Sequence, residues 1–150
     1  MKGKHDRTFA CGAALVFSVA MASSSTVSAQ EPAVIARDAW VRLPPRLKTD
    51  TALYVVLENH SAQKRKVVSV STDAAQAAEM HEMRMDRMTM VMTPVSEITI
   101  PARGKVTLNP DRLHIMLFGL KSRPAIGDMI RVTLKLDDGN SVPVTAIVRK

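Results

Sequence analysis

From Ile130 to Val148 the apolar residues fall on every second position. Ile130, Val132, Leu134 and Leu136 alternate with Arg131, Thr133 and Lys135, and Val142, Val144, Ala146 and Val148 alternate with Pro143, Thr145 and Ile147. A period of two sends successive side chains to opposite faces of a strand, so each segment can bury one face. Between the two stands Asp137-Asp138-Gly139-Asn140, a strong hairpin turn signal. Shorter pieces repeat the pattern: Ile35 to Val41, Ala52 to Leu57, the group Val67, Val68 and Val70, Lys105 to Leu108, and Leu113 to Phe118. Many short strands punctuated by Pro, Gly and Asn make an all-β sandwich or barrel the expected fold class. Ser71 to Ala78 is alanine-rich and leaves room for one helical turn.

Residues 1–29 stand apart from this pattern. Lys2, Lys4 and Arg7 precede an apolar run from Phe9 to Met21, and Val27-Ser28-Ala29 offers small residues at a cleavage position. Cleavage after Ala29 is expected, with residues 30–150 as one domain exported to the periplasm. The apolar run is shorter than the ~20 residues a spanning helix needs. Cys11 is the only cysteine, and it precedes the position that lipidation would require. The exported domain then carries no thiol and no disulfide. It must be held by its core alone, and its length suffices for one. No membrane insertion of the mature chain is expected, and a monomer is the default.

The chain is basic, with a formal net charge of +7. The charges are scattered over Arg42, Arg46, Lys48, Lys64-Arg65-Lys66, Arg84, Arg87 and Arg103. Such clusters sit on solvated turns, or else form a docking face for an acidic partner. Nucleic acid is an unfavoured partner, because few aromatics for stacking remain beyond Trp40, Tyr54 and Phe118.

The chemistry lies in the donors. Six of the chain's 10 methionines fall between Met80 and Met92: Met80, Met83, Met85, Met88, Met90 and Met92. His81, Met92, His114 and Met116 form a spaced set of two imidazoles and two thioethers. Thioether sulfur selects Cu(I) among the common biological metals. His60, in the polar stretch Glu58-Asn59-His60-Ser61, reads as a surface histidine.

Strand geometry can gather the set. With Asp86 and Arg87 as two turn residues, Met85 faces Met88, Met83 faces Met90 and His81 faces Met92. All six side chains then share one face. Directly opposite Cβ atoms lie about 4.5–5.5 Å apart, so one ion can bridge His81 and Met92. His114 and Met116 likewise share a face, with Ile115 and Leu117 toward the core. An inward imidazole would need a buried partner, which places the donors on an outer or rim face. Met83, Met85 and Met88 are either gap-filling packing residues or an exposed lip.

The pattern His-x10-Met-x21-His-x-Met resembles the motif of the periplasmic copper chaperones of PCuAC type. Ala39-Trp40-Val41-Arg42, Ala52-Leu53-Tyr54 followed by Asn59, Met90-Val91-Met92-Thr93-Pro94-Val95 and His114-Ile115-Met116-Leu117-Phe118-Gly119-Leu120 agree with it. The resemblance runs from about residue 33 to 149. It implies a cupredoxin-like Greek-key β-barrel or sandwich with one exposed Cu(I) site. It further implies delivery of copper to the copper-bearing subunit of cytochrome c oxidase, alongside Sco-type proteins. By position the ligands are His81, Met92, His114 and Met116, with Met90 and Met83 as auxiliary donors and Met90 as the substitute for Met92. Some relatives carry a His/Met-rich tail with a second copper site. This chain ends at Arg149-Lys150 without one, so one tight site and no strong Cu(II) site are expected.

Other classes fit less well. A blue-copper electron carrier needs a cysteine thiolate, which the exported domain lacks. A copper enzyme built on an N-terminal histidine would find Gln30 there instead. No Ser-His-Asp, Cys-His or carboxylate-pair constellation is apparent, so no enzyme is expected. A copper-buffering or resistance protein without a dedicated oxidase client uses the same ligands and stays open beside the chaperone.

Overall fold

The computed structural model describes residues 32–150. The expected leader, its cleavage after Ala29, and Cys11 lie outside the described residues. Ten strands follow in order: β1 Val34–Arg42, β2 Thr51–Asn59, β3 Arg65–Ser71, β4 Ala75–Asp86, β5 Thr89–Pro94, β6 Ile98–Ile100, β7 Lys105–Thr107, β8 Leu113–Leu120, β9 Met129–Leu136 and β10 Ser141–Arg149. Among the described residues there is no helix, and the all-β expectation holds.

The alternating segments behave as their period requires. In β9 and β10 every second residue is buried, and the two pair antiparallel from Ser141↔Lys135 to Ile147↔Met129. Asp137 to Asn140 makes the turn, with Gly139 at φ 86° and Asp138 Oδ1 accepting from the Asn140 amide at 2.9 Å.

The hydrogen-bonded order is β5-β4-β8-β2-β1-β10-β9-β3-β6, with β7 on β2. The path is open, so the sheet folds over on itself as a sandwich without closing into a barrel. β1 and β10 run parallel where the two halves join. The inner faces of both halves make one core. Val41, Leu53, Leu57, Ile115 and Leu117 from one half meet Val67, Ile100, Leu134, Ala146 and Val148 from the other, all fully buried.

Two strand expectations need correction. Ser71 to Ala78 holds no helical turn: β4 begins at Ala75. Ala75 and Ala77 sit opposite Leu120 and Phe118 of β8. Sheet pairing beside bulky neighbours decides over alanine's helix propensity. The strand Ile98–Ile100 is absent from the sequence expectation. At three residues it is too short to show a period, yet Ile98 and Ile100 are buried in the core.

β1 carries a bulge that decides which face Trp40 occupies. Asp38 has φ 51°, and the register against β2 shifts between Arg37 and Trp40. Before the bulge Ala36 lies opposite Leu57; after it Val41 lies opposite Leu53 and Trp40 opposite Tyr54. One extra residue therefore turns Trp40 off the core face and onto the outer face.

Candidate metal centre

The donors gather on the outer face of β5, β4 and β8. His81 and His114 are directly opposite one another across β4 and β8, with Glu79 opposite Met116 one step along. Ile115 and Leu117 point the other way and are fully buried in the core, as alternation requires. Met92 reaches from β5 across β4, and its Sδ lies 3.1 Å from His114 Nε2. Register thus sets His81, His114 and Met116 on one face of β4 and β8, and contact brings Met92 of β5 to His114.

The hairpin register differs from the expected one. Met83 faces Met92, Met85 faces Met90, and His81 faces Pro94. Arg87 and Met88 are the turn residues, with φ 45° and 75°, the two positive values a type I′ hairpin needs. Met88 therefore leaves the donor face, and His81 and Met92 are diagonal neighbours, not opposite ones. The cause lies further down the strands. This register sets Val95 beside the buried Met80, with the Val95 amide donating to the Met80 carbonyl at 2.9 Å. The expected register would have placed polar Thr93 there.

The face is the outer one, but its histidines are not exposed. His81 is 7% and His114 4% accessible, while Met92 is 47% accessible. Aromatic side chains outside the donor set cover the imidazoles. Tyr54 lies 6.3 Å from the His114 ring and Phe118 5.8 Å from the His81 ring. Trp40, turned outward by the bulge, packs on Tyr54 at 4.5 Å. The period-two rule could have found Phe118 and Glu79, each on the donor parity of its strand. Trp40 could not be found that way, because the bulge inverts its parity.

Hydrogen bonding fixes which ring nitrogens are free. A carbonyl only accepts, so His114 Nδ1–H donates to the Arg112 carbonyl at 3.1 Å. In the neutral ring, Nε2 then turns its lone pair toward Met92 Sδ. At His81, Nε2–H donates to the Glu79 carboxylate at 2.9 Å. That leaves Nδ1 as a bare lone pair, buried and without a hydrogen-bond partner in the protein. Such an orphan is costly. Burial holds the His114 imidazole below its ordinary pKa; the bond to the Arg112 carbonyl opposes this, and the His81 charge lowers it further. His114 is thus kept in the form that binds a metal.

Two imidazole lone pairs beside thioether sulfur fit a soft monovalent cation. Among the described residues no group of three or more His, Cys, Asp or Glu side chains could hold a metal ion. His60 is exposed, 3.7 Å from Glu58, and takes no part. Met90 and Met85 are exposed on the hairpin and Met83 is half-buried.

A model of the LpqE-like lipoprotein family matches residues 34–148. Lxx21020 of Leifsonia xyli subsp. xyli, named as a lipoprotein, is 32% identical over 129 residues, 85% of this chain and 76% of that one. The solution structure of apo-DR1885 from Deinococcus radiodurans is 32% identical with TM-score 0.62, over 96% of this chain and 97% of that one. Its Cu(I) form is 36% identical with TM-score 0.60, over 79% of each chain. The copper-bound PCuAC domain from PmoF2 shares the fold, with TM-score 0.67 at 19% identity, over 79% of this chain and 93% of that one.

Proposed function

This chain belongs to the LpqE-like lipoprotein family, and we propose that it is an exported copper chaperone of PCuAC type that carries one Cu(I) ion. His81, Met92, His114 and Met116 hold the ion. The observation that carries this assignment is the approach of His114 Nε2 to Met92 Sδ at 3.1 Å, beside the orphaned His81 Nδ1. Copper is cargo here. DR1885, more than 30% identical, has been solved as its Cu(I) form.

The layering of the site suits transfer. The imidazoles lie beneath and the Met92 thioether lies at the surface. An incoming thiolate or imidazole can reach the ion from the sulfur side and displace a thioether before the imidazoles release it. Thioethers carry no proton, so binding depends on pH only through the two imidazoles.

The client we propose is the copper-bearing subunit of cytochrome c oxidase, reached in the periplasm alongside Sco-type proteins. Export rests on the leader pattern in residues 1–29 and on the lipoprotein names of its relatives. The sole cysteine, Cys11, lies within the apolar run, which argues for a released domain. A deletion strain tests the client. Loss of oxidase activity at low copper supports delivery; sensitivity confined to high copper would make the protein a buffer instead.

A further inference from the structure

β4 pairs with β8 as far as Glu82↔Leu113, with the Met83 amide donating to the Arg112 carbonyl at 2.9 Å just beyond, whereas its pairing with β5 runs on to Asp86↔Thr89. The end of the β4–β5 hairpin is therefore a two-stranded finger that overhangs the sheet. On the face that carries the histidines, the finger presents Met85 directly opposite Met90, and Met83 opposite Met92. Met85 is 67% and Met90 46% accessible. Neither packs into the core, so gap-filling does not explain them.

Opposed residues in a strand pair have Cβ atoms about 4.5–5.5 Å apart. Methionine's three rotatable bonds let both sulfurs turn toward one point. Met83 lies two residues from Met85 on the same face, about 7 Å along the strand, and its longer reach adds a third thioether. We propose that Met85, Met90 and Met83 form an outer, thioether-only subsite for a soft monovalent cation, Cu(I) or Ag(I), separate from the His/Met centre. Three neutral sulfurs without imidazole or thiolate make the weaker of the two sites. The Met85–Met90 pair and the Met83–Met92 pair are successive rungs on one continuous face. An ion can then pass from the tip to the inner centre by exchanging one sulfur at a time. The outer subsite also crosslinks the two strands of the finger.

Silver titration of protein carrying 13C-labelled methionine methyl groups tests this. Ag(I) is redox-inert and shares the preference for thioether. Met129, exposed at 70% on β9 and apart from any sulfur pair, reports adventitious binding. The expected result is two steps. The first equivalent moves the Met92 and Met116 methyls; further silver moves Met85 and Met90 together, with Met129 still. The double variant Met85→Leu, Met90→Leu, at exposed positions, loses the second step and keeps the first. Movement of Met85 and Met90 in the same step as Met92 would overturn the proposal, because there would be one extended site. So would movement only in parallel with Met129, or none. If the first step is missing and the second present, the inner Cu(I) assignment fails and the outer subsite stands.

Discussion

Replacing His81 by leucine should stabilise the metal-free protein and abolish the Cu(I) centre. His81 is 7% accessible, and its Nδ1 has no hydrogen-bond partner in the protein. A buried unpaired polar group costs about 1–3 kcal/mol. Leucine is close to histidine in volume, so no large cavity opens. The bond to Glu79 is lost, but Glu79 is 52% accessible on its side chain, and water replaces that contact. The tilted ring contacts to His114 and Phe118, at 6.1 and 5.8 Å, are lost too, at about 0.5 kcal/mol for weak aromatic pairs. The balance is a gain of about 1 kcal/mol, which raises the midpoint of a domain this size by about 3–5 °C. Thermal melts followed by circular dichroism read it. Cu(I) adds a second, opposite signature. A ligand at 100 times its Kd stabilises the wild type by about 2.7 kcal/mol, and the leucine variant should show no such rise. A metal-free His81→Leu protein that melts below the wild type would refute the reasoning. It would mean that Nδ1 is not an isolated acceptor.

The pH dependence of the metal-free protein should follow His114, whose pKa is held below the ordinary value chiefly by burial. Its contribution to stability is complete above the unfolded value of about 6.5 and is lost as pH falls through the lower folded value; melts between neutral and mildly acidic pH should show this decline, flattened in His114→Leu. Gly119→Ala should destabilise by about 1–2 kcal/mol, because Gly119 sits at φ 64° and a Cβ would stand 2.8 Å from the Gln76 side chain; urea unfolding measures it, and Gln76→Ala in the same background should recover only the contact, not the backbone cost. The pair Arg87→Asn, Met88→Gly supplies residues that accept the positive φ of the hairpin turn, so the midpoint should rise while Cu(I) affinity stays unchanged.

The face that His81, His114 and Met116 share was legible because a strand has a period of two. His114 and Met116 turn one way and Ile115 and Leu117 the other, as alternation requires. The register of the β4–β5 hairpin was not legible by the same rule. Sliding one strand by two residues leaves every side chain on its face, so parity cannot tell Met83↔Met90 from the observed Met83↔Met92. The choice is made by Val95 against Met80, outside the methionine run. Burial of the histidines was likewise hidden. It depends on Tyr54 being backed by Trp40, and Trp40 is turned outward by a one-residue bulge at Asp38. Aspartate tolerates the left-handed conformation better than most residues, which is the only local mark the bulge leaves.

Competition for Cu(I) against a chromophoric chelator, with wild type, Met92→Leu and His114→Leu side by side, tests the metal centre most directly. Loss of a partner that merely orients a ligand typically costs ~10–100-fold in metal affinity. The expected result is one tight equivalent in the wild type and a loss of more than about 100-fold in each variant, with the fold intact by circular dichroism. Tight binding unchanged in both variants would contradict the assignment, because the close approach of His114 Nε2 and Met92 Sδ would then hold no ion.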